Sequence, residues 1–311
     1  MIFTANKENI KKAAHLIQTG QVVAFPTETV YGLGASAYDA KAIAKIFAIK
    51  NRPTFNPLIS HISDTDFLKE YAQTDERVLA LAQKFWPGPM TFILNRKDKN
   101  PALDLACAGL DKISVRMPNH PVALALIRES GVPIVAPSAN KSQTISPTTA
   151  QHVQNSLGEA VSMILDNGPC TIGVESTILD MTHSQIVVLR AGGLAAEKIE
   201  TFLGETILFS DGNPHKPSSP GQLLKHYAPR YPTRINICSP EKDEFFIGFG
   251  TKDGDLNLSP SGNLEEAAAH LFQMLHQAEE QTQKTKIAIA PIPNIGLGRA
   301  INDRIKRASY K

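Results

Sequence analysis

Amphipathic stretches and short apolar runs alternate from the first residues of the chain. Between Ile10 and Ile17 the apolar residues recur at the spacing of one helix face, with Asn6 placed to cap that helix and Gly20 to end it. The apolar run 22–25 that follows is typical of a buried strand. The chain is therefore predicted to begin with a helix that leads into a strand.

The same order returns after a loop. Asp39 is placed to cap a second helix that carries Ile43 and Phe47 on one face, and the run 58–62 predicts the next strand. This alternation predicts an α/β or α+β sheet domain with helices between several of its strands. Further strands are predicted at 90–94, 113–117, 133–136, 162–165, 176–180 and 186–190.

Glycine and proline predict where this domain ends. Ser146 followed by Pro147 is the order that starts a helix, and Gly204 is placed to end the last helix of the region. The first domain is therefore predicted to span residues 1–205. Clustered prolines in 206–232 cannot sustain a helix or a central strand, which predicts a linker.

A smaller second domain is predicted over residues 233–311. The run 245–249, a helix capped by Asn263, and the run 286–290 follow one another as strand, helix and strand. The expected fold class is α/β, with a large sheet domain followed by a small βαβ domain.

Composition narrows the function. A chain of 311 residues is long for a single core, which agrees with two domains. A net charge of +2 is too small for a protein that coats DNA, and no apolar run reaches the roughly 18 residues of a membrane span. Cys107, Cys170 and Cys238 form no Cys-x-x-Cys pair, so neither a zinc site nor a disulfide framework is predicted. A cytoplasmic location is expected.

Residues 26–34, PTETVYGLG, follow the first predicted strand with hydroxyls, a carboxylate and two glycines together. Such a loop can bring its backbone close to a ligand, and the alternative is a plain structural turn. A nicotinamide site is disfavoured, because the glycines come too late after the strand and no acidic residue follows at the required distance.

Two cations follow the second predicted helix. Lys50 and Arg52 flank one residue, and such a pair can bind carboxylate or phosphate, since arginine supplies a planar fork and lysine a point charge. The alternative is a solvated helix end, and in both cases the charges are expected to be exposed and to contribute little to folding. His61, taken alone, indicates a surface or satisfied histidine rather than a ligand contact.

Polar residues follow another predicted strand. Ser138 and Asn140 come directly after it, where ligands of open sheets gather, and Ser146 is expected at a helix N-terminus, whose free amides favour anions. A Ser/Asn turn with a capped helix explains the same residues without function. Arg116 and Arg190 each end a predicted strand, and they can face either the same crevice or solvent.

Together these motifs resemble the threonylcarbamoyl-AMP synthase family. The resemblance rests on PTETVYGLG, KNRP followed by NPLISHI, FWPGPMT, ISVRMPNHP, PSAN and GVESTILD, in this order and spacing. The linker motif SPGQLLKHYAP and the ending GLGRAINDRIKRAS are similar to the two-domain form, although Gln222 stands where relatives more often carry methionine. No Walker A, Gly-x-Ser-x-Gly or His-Glu-x-x-His motif supports another enzyme class.

The resemblance implies an open twisted YrdC-like sheet domain with a large positive cavity, and a smaller Rossmann-like domain whose linker covers the active site. It implies a nucleotidyltransferase that makes threonylcarbamoyl-AMP and pyrophosphate from L-threonine, bicarbonate and ATP, with Mg²⁺ accompanying the ATP. The product would pass to a downstream tRNA threonylcarbamoyl transferase complex. Neither DNA nor a membrane is expected as a partner.

The resemblance also implies which residues bind each substrate. The L-threonine site is expected to comprise Thr27, His61, Arg116, Ser138 and Ser176. The ATP site is expected to comprise Lys50, Arg52, Asn140, Ser146, Arg190, His226 and Tyr227. Lys50 and Arg52 are expected to be catalytic by neutralising charge, and no residue is assigned to a metal.

Two alternatives stay open. The first is an RNA-binding module, because YrdC-like domains present a concave basic surface and the tail carries Arg304, Lys306, Arg307 and Lys311. Such a binder would need stacking aromatics, and its affinity would fall steeply with salt. The second is a different carbamoyl or adenylyl transferase, as in the hydrogenase-maturation carbamoyltransferases. Those carry further domains and zinc-type cysteine pairs, and this sequence has no such pair.

Overall fold

The structure, a computed structural model, describes residues 1–97, 101–210, 226–281 and 283–310. The strands are β1 (Ile2–Thr4), β2 (Val23–Phe25), β3 (Gly32–Ser36), β4 (Ile59–His61), β5 (Met90–Asn95), β6 (Lys112–Arg116), β7 (Ile134–Val135), β8 (Met163–Asp166), β9 (Thr177–Asp180), β10 (Val187–Arg190), β11 (Leu208–Phe209), β12 (Thr233–Arg234), β13 (Glu244–Gly248), β14 (Leu256–Asn257) and β15 (Lys286–Ile289). The helices are α1 (Lys7–Gln18), α2 (Ala40–Lys50), α3 (Asp66–Tyr71), α4 (Glu76–Phe85), α5 (Pro101–Ala106), α6 (Pro121–Ser130), α7 (Ala150–Leu157), α8 (Ala196–Leu203), α9 (Leu264–Gln281) and α10 (Leu297–Ala308).

The larger sheet contains eleven of the described strands, in the order β1-β8-β2-β3-β7-β4-β6-β5-β9-β10-β11. Successive residues of a strand point to opposite faces, and both faces are covered. In β2, Val23 and Phe25 pack with α1 and α6, whereas Ala24 packs with the buried residues of α2. The α/β fold class predicted from the sequence is confirmed.

Helix caps and apolar runs in the sequence predicted most of the strands and several of the helices correctly. Asn6 and Asp39 accept hydrogen bonds from the first-turn amides of α1 and α2, and Asn263 does so for α9. Every strand predicted from an apolar run is present within a residue of its expected bounds. None of the helices in the described parts of the chain is long and apolar enough to cross a membrane.

Two local predictions were wrong. Residues 32–34, read as the end of a loop, belong to β3, which lies between β2 and β7, where the backbone packs tightly. A Cβ on Gly34 would come within 2.7 Å of side-chain atoms of both Phe25 and Ile134, so glycine permits this close approach. Ser146 does not start a helix, since α7 begins at Ala150 with Thr149 as its cap.

One row of paired residues crosses the centre of the larger sheet. Parallel pairing of β4 with β6 sets His61 beside Arg116, and antiparallel pairing of β6 with β5 sets Arg116 beside Thr91. Thr91 pairs with Ile178 of β9, which pairs in turn with Arg190 of β10. Strand ends that are far apart in the sequence therefore meet along one line.

The smaller sheet is parallel, in the order β12-β15-β13-β14, and packs with α9 and α10. This sheet and its two helices form the smaller unit, and residues 1–210 form the larger unit. The buried cluster of the smaller unit extends into the larger one, because it contains Val30, Ile145 and Val174 together with Phe272. The span predicted as a linker, 206–232, begins with β11 paired to β10. Residues 211–225 of that span lie outside the described residues.

Candidate active site

A cavity lies where the central row of the sheet meets the chain that precedes the smaller sheet. The space between atoms within it, including its open mouth, is about 560 Å³. Its lining comprises Thr27, Thr29, Val30, Gly32, Arg52, Ile59, His61, Arg116, Ala136, Pro137, Ser138, Glu175, Ser176, Arg190, His226 and Tyr227.

The charge of the cavity favours an anionic ligand. Arg52, Arg116 and Arg190 are all buried and all line it, whereas Glu175 is the only carboxylate among these lining residues. Burial lowers the pKa of Arg52 and of Arg190 to about 10, so both stay charged at neutral pH. Like charges held together out of water are costly unless an anion neutralises them.

All five residues predicted for L-threonine line the cavity: Thr27, His61, Arg116, Ser138 and Ser176. Two of them are held by specific hydrogen bonds. The Thr27 hydroxyl donates to the carbonyl of Val30 at 2.7 Å, and the hydroxyls of Ser176 and Thr91 lie 2.7 Å apart. The first contact closes the turn after β2, and the second ties the loop before β9 to β5.

The ring of His61 is neutral. Burial, together with the nearby Arg116 charge, lowers the pKa of His61 to about 3. Its Nδ1 lies 3.1 Å from the carbonyl oxygen of Ile59, and since a carbonyl only accepts, Nδ1 carries the proton. Nε2 of the neutral ring is then the acceptor nitrogen. His61 is thus a polar contact without charge in a cationic cavity.

Arg116 is held by Glu28, a residue that was not among the predicted site residues. Nη2 of Arg116 lies 2.7 Å from Oε1 of Glu28, and both side chains are almost fully buried. Glu28 belongs to the motif PTETVYGLG, and the presence of a carboxylate in that motif was the sequence signal that could have identified it as a site residue. The ion pair fixes one edge of the guanidinium at the carboxyl end of β6.

Lys50 does not line the cavity and is not exposed, contrary to expectation. It is 1% exposed, and Nζ donates to the carbonyl of Ser138 at 2.6 Å and to the carbonyl of Asn140. Burial and the neighbouring Arg52 charge lower its pKa well below the usual range. Lys50 therefore joins the end of α2 to the loop after β7.

Replacing Lys50 with methionine is expected to lower the free energy of unfolding by roughly 1–3 kcal/mol, the cost of one buried carbonyl left without a donor. The carbonyl of Asn140 would lose the Lys50 donor, whereas that of Ser138 would keep the amide of Asn140 at 3.1 Å. Lys45→Met is the matched control, since this exposed lysine of the same helix also donates to a backbone carbonyl, that of Gly20. Urea melts of both variants measure the difference. Equal stability of the two would show that the Lys50 contacts contribute nothing.

Four residues predicted for ATP line the cavity: Arg52, Arg190, His226 and Tyr227. Nε and Nη2 of Arg52 donate to the carbonyls of Asn56 and Pro57 at 3.2 and 2.9 Å. Nε and Nη2 of Arg190 donate to the carbonyl of Ser176 at 3.1 and 2.9 Å. Both guanidinium groups are anchored to backbone rather than lying free in solvent.

Asn140 and Ser146, also predicted for ATP, lie behind the lining rather than in it. The Asn140 amide donates to the carbonyl of Thr144 at 2.9 Å. The Ser146 hydroxyl donates to Oε1 of Glu175 at 2.7 Å, and Glu175, within the motif GVESTILD, was not among the predicted residues. Since Ser146 lies outside α7, the helix N-terminus expected to bind an anion there is absent.

His226 and Tyr227 are the first described residues after the gap at 211–225, and both are buried against the cavity. Their ring centroids lie 3.9 Å apart, and Tyr227 packs at 5.3 Å from Phe272 of α9. The amide of Ala228 donates to the carbonyl of Gln143 at 2.9 Å. This end of the predicted linker therefore contacts both α9 and the loop that carries Gln143, beside the cavity.

Within residues 297–310, the described tail does not present the cationic strip that an RNA-binding module would need, because, of its four predicted cations, only Lys306 is described as exposed. Arg304 is 0% exposed and pairs with Glu175 at 2.8 Å, while Arg307 pairs with Asp303 at 2.9 Å. Amphipathic α10 buries one face in the core, and this burial decides the orientation of both arginines. Lys311 lies outside the described residues.

Two family profiles cover almost the whole chain. The Sua5/YciO/YrdC profile, described as telomere recombination, matches residues 15–192. The profile of the threonylcarbamoyl-AMP synthase C-terminal domain matches residues 194–309. The two matches meet between β10 and α8, ahead of the predicted linker.

Whole proteins agree with these profiles. The threonylcarbamoyl-AMP synthase of Bacillus subtilis is 40% identical over 98% of this chain and 94% of its own length. That of Pyrococcus abyssi is 38% identical over 96% of this chain and 94% of its own. The crystal structure of P. abyssi Sua5 complexed with L-threonine has a TM-score of 0.90 and 36% identity, over 99% of this chain and 97% of that one. The chain belongs to the threonylcarbamoyl-AMP synthase family, in its two-domain form.

Proposed function

We propose that this protein is an L-threonylcarbamoyladenylate synthase, which converts L-threonine, bicarbonate and ATP to threonylcarbamoyl-AMP and pyrophosphate. The observation that carries the proposal is the meeting of three buried arginines from separate segments, Arg52, Arg116 and Arg190, in one cavity. A reaction with three anionic reactants needs such an excess of positive charge. The product would supply the threonylcarbamoyl group for tRNA modification by a downstream transferase complex.

L-Threonine would bind at the end of the row formed by β4 and β6. Because Glu28 engages one edge of the Arg116 guanidinium, the remaining donors of Arg116 are left for the amino-acid carboxylate. Neutral His61 would accept a hydrogen bond from the threonine hydroxyl through Nε2. The hydroxyls of Thr27, Ser138 and Ser176 complete a polar wall around it.

ATP would bind between Arg52 and Arg190, with His226 and Tyr227 covering it. Lys50, Asn140 and Ser146 would support this site from behind, by holding the loop after β7 and the Glu175 carboxylate. Mg²⁺ would enter with the nucleotide. The two carboxylates near the cavity are already engaged, Glu28 by Arg116 and Glu175 by Ser146 and Arg304. The ligands of Mg²⁺ would therefore be phosphate and water oxygens.

The chemistry needs no protein nucleophile. The threonine amine and bicarbonate form an N-carboxylate and release water. An oxygen of this carbamate then attacks the α-phosphorus of ATP, and the bond to the β-phosphate oxygen breaks as pyrophosphate leaves. The protein would contribute in-line placement and positive charge on the phosphate oxygens, and it would exclude the water that hydrolyses the mixed anhydride.

Incubation of the purified protein with MgATP, bicarbonate and labelled threonine tests the proposal. We expect pyrophosphate and threonylcarbamoyl-AMP in matching amounts, with both products depending on threonine and on bicarbonate. Pyrophosphate release that continues without threonine would contradict the assigned reaction.

Serine is expected to be a poor substrate. Val30, Ile59 and Ala136 give the cavity an apolar side that can receive the threonine methyl group. A missing methyl in such a pocket lowers kcat/KM by roughly 10- to 200-fold. Competition assays with labelled threonine and serine measure this ratio, and equal kcat/KM values would remove the assignment of threonine.

A further inference from the structure

Arg304 is the largest fully buried side chain among the described residues, although it belongs to α10 of the smaller unit. Arginine is almost never fully buried unless it is paired. Burying a guanidinium costs free energy, and apolar residues of similar volume would often be as stable. The position of this charge in the core therefore calls for a role other than packing.

The contacts of Arg304 point towards the cavity. Nε donates to Oε2 of Glu175 at 2.8 Å, and Nη1 donates to Oδ2 of Asp303 at 2.5 Å. Cζ lies 5.3 Å from the centre of the Tyr227 ring, a cation–π distance. Glu175 and Tyr227 both line the cavity, whereas Arg304 does not. One side chain of the smaller unit thus holds two parts of the cavity wall.

Glu175 is kept as an anion by this contact. Burial alone would raise its pKa, but the charges of Arg304 and Arg190 and the hydrogen bond from Ser146 hold the pKa at about 2. Its other oxygen accepts the Ser146 hydroxyl at 2.7 Å. Both Glu175 oxygens are therefore used, and the carboxylate is fixed between two segments.

We infer that Arg304 is a positioning residue of the active site, which fixes the Glu175 carboxylate and the Tyr227 ring and so couples the smaller unit to the nucleotide side of the cavity. This inference rests on the proposed function and extends it. Arg304 does not line the cavity, so it would act through Glu175 and Tyr227. The planar guanidinium suits this role, because it donates along two edges while its face covers an aromatic ring.

Kinetics of Arg304→Met and Arg304→Lys test the inference. We expect the KM for ATP to rise roughly 5- to 150-fold in Arg304→Met, the usual range for coupling between sites, with a smaller rise in Arg304→Lys. Pyrophosphate should exceed accumulated threonylcarbamoyl-AMP, because a displaced Tyr227 admits water. A merely structural role would reduce the active fraction, which lowers kcat but leaves KM and the product ratio unchanged.

Arg299→Met is the matched control. Arg299 lies on the same helix and also pairs with the larger unit, through Glu197 at 3.2 Å, but it is partly exposed and does not line the cavity. Its KM and product ratio should equal those of the wild type. If Arg304→Met does not fold, the Glu175→Gln/Arg304→Met variant removes both charges and is measured against Glu175→Gln. The inference would be overturned if Arg304→Met had the KM for ATP and the product ratio of the wild type. The same holds if the double variant had those of Glu175→Gln.

A measurement without substrates separates this inference from the assigned reaction. In a double-mutant cycle of Arg304→Met and Tyr227→Leu, melts of the ligand-free protein should show non-additive losses, because the two side chains are in contact. Additive losses would contradict the contact on which the inference depends. If the wild type forms no threonylcarbamoyl-AMP while the cycle is non-additive, the proposed reaction fails but the contact stands.

Discussion

Arg52→Lys is expected to lose roughly 100- to 1000-fold in turnover, the effect of removing one preorganised donor from a developing negative charge. The Arg52 guanidinium already donates to the carbonyls of Asn56 and Pro57, and among the described residues Nη1 has no protein partner. The planar group can therefore hold the turn and still offer donors to a phosphate. A lysine ammonium cannot do both, since its donors radiate from a single atom.

Arg96→Lys is the matched control for this experiment. The Arg96 side chain is only 6% exposed and pairs with Asp104 at 2.6 Å, but it does not line the cavity. Both variants should lose stability, whereas only Arg52→Lys should lose turnover and the stabilisation that MgATP gives to the wild type. Wild-type turnover in Arg52→Lys would show that Arg52 only braces the turn at 56–57.

Removal of every residue after Phe209 is expected to abolish product accumulation and to weaken the remaining fold. Val30 and Val174 would lose the buried cluster that they share with Phe272, at roughly 1.5–3 kcal/mol for each exposed side chain. The carboxylate of Glu175 would lose Arg304, which leaves a charge without its partner beside the cavity. Thermal melts and the pyrophosphate assay measure both effects.

A full-length chain in which His226 and Tyr227 are both replaced by alanine separates the loss of these two side chains from the loss of the whole smaller unit. It removes the side chains beside the cavity but keeps α9, α10 and most of the shared cluster. We expect a cooperative melt with reduced product yield. Full product accumulation by the truncated chain would show that the smaller unit is not needed for the reaction.

The sequence by itself determined the elements that local forces decide. Apolar runs located most of the strands, and Asn6, Asp39 and Asn263 marked helix starts, because a cap bonds amides only two or three residues away. The motifs also named the arginines and most of the hydroxyls that line the cavity, since these residues lie at strand ends or, for Arg52, just after α2. These features depend on neighbours in the chain, and a sequence records neighbours directly.

Only the tertiary structure decided which charges face the cavity and which hold it in place. Lys50 turned inward because the carbonyls after β7 lie beside the end of α2, 88 residues away in sequence. Arg304, which the sequence suggested as a cation of the tail, is the buried partner of Glu175, 129 residues away. Local patterns cannot report such pairings, because the free energy of burying a charge depends on the partner that the fold brings to it.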